Sequence, residues 1–209
     1  MPVWQELHIE LKDKNFEVIT VACDVRPEAA EPSIKDAASE YPSLIDNHHV
    51  VAQLYNTRNV PTTVWIDEKG EIVRYDEGIY LRRRNRETGE FTINERYLNV
   101  VRDWVENSAA SRYVLVSEEA QKRLRPLTKE DAEGIANFRM GVYLHEHGHG
   151  ADAIPYFKLA NELKPENWNF KRQSFNLGNP EEDYGTTIQK EGQVRPMYVP
   201  LDMPSLTDS

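Results

Sequence analysis

Cysteine is almost missing: Cys23 is the one thiol in 209 residues, so no disulfide can close within the chain and no CxxC redox or zinc pair is present. No stretch approaches the run of about 18 apolar residues that a membrane span needs, and residues 1–6 lack the basic and apolar regions of a signal peptide. The chain therefore reads as not exported, hence cytoplasmic, and without a membrane partner. Positive charge is in deficit, 25 Lys and Arg against 35 Asp and Glu for a net charge of −10 and an isoelectric point near 5.1. That balance argues against a nucleic-acid partner. There is no glycine-rich phosphate loop, no GxSxG and no HExxH, so no cofactor and no metal is implied.

What is present is enough apolar residue for a core, 39% with 10 Tyr, 6 Phe and 4 Trp, arranged in two contrasting halves. Val3, Trp4, Leu7 and Leu11 recur at helical spacing behind Pro2. Residues 16–23 form a short β-branched run that reads as a buried parallel strand. A polar helix over 27–40, an extended piece over 41–46 and a short helix beginning at His48-His49, with both histidines on the surface, follow. Residues 62–67 and 71–75 flank a turn containing Gly70 and read as an antiparallel hairpin. Residues 79–91 read as an excursion. Thr92 and Glu95 suggest a capping box, opening a helix that carries Ile93, Tyr97, Val101, Trp104 and Val105 to about residue 108. From Ser117 the periodicity is helical, with Thr128 capping a helix to about Glu146 and a second helix over 151–163. The tail beyond Pro180, punctuated by Pro196, Pro200 and Pro204, reads as extended.

Residues 1–108 resemble the thioredoxin fold in its TlpA-like and peroxiredoxin-like branch. The resemblance is carried by residues 16–24, by Asn59-Val60-Pro61-Thr62-Thr63-Val64-Trp65-Ile66-Asp67, and by the Gly70 hairpin with its closing helix. It implies an α/β sandwich that lacks its first strand and its dithiol motif. It implies a cis proline at Pro61, with Val60, Pro61 and Thr62 forming the loop whose backbone pairs with an extended substrate. The implied activity is thiol–disulfide or peroxide reduction, with the catalytic dithiol absent from this chain. In that family the CxxC opens the first helix ahead of a proline. If Pro2 is that proline, the redox pair would fall upstream of Met1. Either the domain is degenerate, or the true start lies upstream, as an in-frame selenocysteine codon read as a stop would produce.

A second resemblance covers residues 134–167. Gly141, Ala153, Phe157, Ala160 and Pro165, at spacings of twelve, four, three and five, are similar to the small, aromatic, small and proline positions of a tetratricopeptide repeat, a unit of about 34 residues. Asn137 and Leu144 stand where that pattern has Trp and Tyr. The resulting organisation is a thioredoxin-like domain over 1–108, a linker helix over 109–127, a tetratricopeptide-like module over 128–178 and an extended tail over 179–209. The helical module is expected to dock on the α/β domain, covered by the end of the preceding helix and the linker, since one hairpin cannot bury its own apolar edges. A missing first strand would leave an unpaired edge, which favours a homo-oligomer.

Cys23 ends the first strand at the carboxyl edge of the sheet, where ligands bind in open α/β folds, and is the weak catalytic candidate. No cation is identifiable beside it to favour the thiolate, so it reads as a buried, inert thiol. His145, His147 and His149 span a turn between two helices, where alternation does not converge imidazoles on a metal. Arg82, Arg83, Arg84 and Arg86 read as a solvated loop, with a phosphate or acidic partner as the alternative. Two functions remain open: a redoxin-type activity, and a non-catalytic module that holds protein or peptide partners in the cis-proline groove and on the helical repeat.

Overall fold

The computed structural model describes residues 2–78, 81–84 and 88–198. Helix α1 (Pro2–Leu11) leads to strand β1 (Thr20–Ala22), helix α2 (Pro27–Ala37), strand β2 (Ser43–Ile45) and helix α3 (Val50–Leu54). Strands β3 (Thr62–Ile66) and β4 (Ile72–Glu77) form the Gly70 hairpin. Strands β5 (Arg82–Arg84) and β6 (Phe91–Ile93) precede helix α4 (Glu95–Asn107). The second half is helical: α5 (Ser117–Leu124), α6 (Lys129–Glu146), α7 (Gly150–Leu163), α8 (Trp168–Leu177), α9 (Pro180–Tyr184) and α10 (Ile188–Val194).

Among the described residues the strands form three two-stranded sheets, parallel β1–β2, antiparallel β3–β4 and antiparallel β5–β6. The strand expected over 16–23 is regular only at Thr20–Ala22, the stretch whose partners Ser43 to Ile45 lie in β2. A strand extends only as far as a neighbour supplies hydrogen bonds. Residues 79–91 are more than an excursion, since β5 pairs with β6; Arg86 lies outside the described residues. Thr92 sits in β6, opposite Arg83, and α4 begins behind Asn94 instead. The tail departs from expectation as well, because α9 and α10 stand in what reads as an extended segment. Thr187 accepts a hydrogen bond from the Lys190 amide and so caps α10, a local signal that the surrounding prolines obscure.

Two apolar clusters hold the molecule. In the first, one face of α1 (Val3, Leu7, Leu11) meets α4 (Tyr97, Leu98, Val100, Val101) and Trp65 of β3. Trp65 and Trp104 stack with centroids 4.6 Å apart. In the second, Phe138 and Val142 of α6 meet Ala153, Phe157 and Ala160 of α7, Phe170 of α8 and, from the α/β half, Val25. The α6–α7 hairpin is close because its contact positions are small: a Cβ on Gly141 would lie 2.6 Å from the Phe157 ring, and Ala153 and Ala160 are fully buried. Thr128 and Asp131 form a capping box at the start of α6.

Candidate functional site

The loop before β3 is built from its own side chains. The Val60–Pro61 bond is cis. Asn59 Oδ1 accepts from the Val60 amide at 2.9 Å, and Thr62 Oγ1 donates to the Asn59 carbonyl at 2.6 Å, so the turn is braced on both sides of Pro61. The Gly78 amide at the end of β4 donates to the Pro61 carbonyl at 2.9 Å and ties the loop to the hairpin. Val60, Pro61 and Thr62, the three residues that the sequence points to, lie together in this braced loop. Val60 and Thr62 are half-buried and Pro61 is exposed.

Cys23 follows β1 directly and is half-buried. Burial pushes its thiol up to about 12, and the carboxylates of Asp46 and Asp24 push in the same direction. Both effects disfavour a thiolate, the reactive form. Asp46 is committed elsewhere: its carboxylate accepts from the Val50 amide at 2.7 Å and the Ala52 amide at 2.9 Å, opening α3.

Helix α8 spans the two loops. Gln173 Nε2 donates to the Cys23 carbonyl at 3.3 Å, and its Oε1 accepts from the Val25 amide at 3.1 Å. The preceding residue, Arg172, donates to Asn59 Oδ1 at 2.7 Å and to the Val60 carbonyl at 3.4 Å. Consecutive residues on a helix diverge by about 100°, so α8 reaches the carboxyl end of β1 with one side chain and the cis-proline loop with the next. At its start, the Asn169 amide donates to the Arg58 carbonyl and Asn169 Nδ2 to the Thr57 carbonyl. The helical half is therefore docked on the α/β half, but through these loops rather than through the end of α4. Helix α5 packs instead on β4, where Arg123 reaches Asp76 at 2.6 Å.

Neither Arg172 nor Gln173 is signalled by sequence, because nothing local marks which face of α8 meets loops more than 100 residues away. The histidines divide. His49 is fully buried, not on the surface, with its ring edge-on to Phe138 at 5.1 Å; the docking of α6 covers it. His145, His147 and His149 do not converge. His147 Nδ1 lies 2.7 Å from the Tyr143 carbonyl, His149 lies beside Asp152, and no group of three metal-binding side chains exists among the described residues. Among these residues no helix is long and apolar enough to cross a membrane.

Comparison with known proteins finds a family match and a curated relative. Residues 1–75 match the AhpC/TSA family. The chain is 31% identical over 78 residues to "Thiol-disulfide oxidoreductase ResA" of Halalkalibacterium halodurans, covering 37% of this chain and 44% of that protein. It thus spans less than half the length of the curated relative it matches. No solved structure matches. The two likenesses support a thioredoxin-like redoxin reading.

Proposed function

We propose that the chain serves thiol–disulfide or peroxide reduction by holding an extended protein or peptide segment at the Asn59–Thr62 loop, while Cys23 takes no part as a nucleophile. The observation that carries this reading is the braced loop itself, which lies within the stretch that matches AhpC/TSA sequences and whose Val60 carbonyl accepts hydrogen bonds from other parts of the chain. A backbone carbonyl at such a loop can accept from the amide of an extended chain, which gives affinity without demanding a particular side chain. The chain contains no second thiol with which Cys23 could cycle.

The non-catalytic alternative is favoured for this chain on its own by one specific finding, the thiol of Cys23 held near 12 with its own carbonyl engaged by Gln173. In that reading the cis-proline groove and the tetratricopeptide-like α6–α7 hairpin both hold partners. An extended peptide carrying a disulfide, titrated into isotope-labelled protein, tests the site: resonances of Val60 and Thr62 should shift saturably. Shifts confined to other regions, or none, would remove the reading. Neither reading gives insulin turnover with dithiothreitol by this chain alone, so turnover above background would overturn both.

A further inference from the structure

The cis-proline loop is not open: the segment after α10 lies across it. Asn59 Nδ2 donates to the Met197 carbonyl, and the Tyr198 hydroxyl donates to the Val60 carbonyl at 3.2 Å. Arg172 holds the same segment from the α8 side. Its Nη2 lies 3.5 Å from Met197 Sδ and 3.2 Å from the Tyr198 hydroxyl, and its guanidinium sits 5.9 Å from the centre of the Tyr198 ring. Met197 is further seated against Gly192, where a Cβ would meet its terminal methyl at 2.5 Å. A main-chain carbonyl, a thioether and a phenol thus converge on Asn59, Val60 and Arg172, side chain and backbone together.

We infer that Met197–Tyr198 is an internal occupant of the peptide-binding surface formed by Asn59, Val60 and Arg172, and that it competes there with an extended segment of a partner protein. The inference rests on the proposed peptide-binding role of the Asn59–Thr62 loop. It adds the chemistry that surface selects, an apolar side chain followed by a tyrosine, the tyrosine ring lying within cation–π reach of Arg172 and its hydroxyl donating to the Val60 carbonyl. A guanidinium near a ring face favours an aromatic residue at that position. Only two residues separate the last residue of α10 from Met197. A tether that short holds an effective concentration of about a millimolar. A competing segment therefore binds more weakly by a factor of one plus that concentration over the intrinsic dissociation constant of the strap, about tenfold for an intrinsic constant near 0.1 mM.

The test uses the full chain, its Tyr198→Ala variant and two labelled peptides. One peptide copies residues 195–198 between glycine–serine flanks; the other is the disulfide-bearing peptide of the preceding test. The strap copy should bind Tyr198→Ala at least tenfold tighter than the parent chain, and Arg172→Ala added to that variant should abolish the gain. Equal binding of the strap copy to parent and variant, or binding to neither, overturns the inference. The functional reading is judged separately: failure of the disulfide peptide on the variant, where the strap copy binds, removes that reading and leaves the internal occupancy standing. A Tyr198→Phe variant, which keeps the ring on Arg172 but loses the hydroxyl, should fall between parent and Tyr198→Ala. Hydrogen exchange over residues 195–198 should quicken in the order parent, Phe, Ala.

Discussion

Burial shifts the titration of two side chains at the carboxyl end of the β1–β2 pair, fully buried His49 and half-buried Cys23. Burial lowers the pKa of His49 from its ordinary value, with His48 acting in the same direction and Asp46 and Asp24 opposing. The folded state therefore prefers the neutral ring, while the unfolded chain protonates near 6.5. Above that pH the preference costs nothing. As the pH falls through it, the unfolded state gains protons that the folded state refuses, and stability declines. Thermal melts should show a lower midpoint at pH 5.5 than at pH 7.5, and His49→Asn, which keeps a residue tolerant of the φ of 54° at this position, should flatten that dependence. An identical pH profile in the variant would assign the effect to another group. Cys23 offers a second check. With its thiol pushed up to about 12, its alkylation by iodoacetamide at neutral pH should be slower than that of a free cysteine near 8.5 by on the order of a thousandfold. Cys23→Ser should leave insulin reduction at background, and turnovers that depend on Cys23 would show that its thiol acts as a nucleophile.

At the scale of elements, β4 and α5 are clasped by a charged cluster and α6 and α7 by small residues. Arg74 is 1% exposed and Asp76 4%; Asp76 takes Arg74 and Arg123, and Arg74 Nη1 also donates to the Tyr113 carbonyl at 2.9 Å. Deleting the carboxylate would break the buried pair that Asp76 makes with the Arg74 guanidinium. Asp76→Ala should therefore destabilise by about 3–5 kcal/mol in urea titration, far more than removal of the surface pair of Glu10 and Arg102. In the helical hairpin, Ala153 is fully buried beside Phe157. Ala153→Leu should overpack it and cost about 1–3 kcal/mol, and unchanged stability would show that the interface has slack.

At the scale of the molecule, the two halves are joined by polar ties as well as by Val25 in the helical core. Lys164, 1% exposed, pairs with Asp131 at 2.7 Å and approaches Asn56 Oδ1 at 3.5 Å, while Asn56 Nδ2 donates to the carbonyls of Leu124 and Arg125. Such coupling predicts one cooperative unfolding transition. Trp65 and Trp104 report on the α/β half and Trp168 on the helical half, so single-tryptophan variants should give coincident midpoints. Separate transitions would mean that the halves unfold independently.

The sequence alone determined the features with a local physical cause. The 3.6-residue periodicity of α1, α4, α6 and α7, the capping residues Thr128 and Asp131, the Gly70 turn and the two side-chain braces of Asn59 and Thr62 all depend on neighbours a few residues apart. Tertiary structure decided the rest. His49 is buried because α6 lies over it, and β1 is short because β2 is. The site is bridged by α8 because Gln173 meets a carbonyl 150 residues away, and it is covered because Tyr198 meets one 138 residues away. Contacts at that separation leave no periodic trace in the chain. They follow from which surfaces remain uncovered once every helix and hairpin has formed, and that is settled by packing the whole molecule.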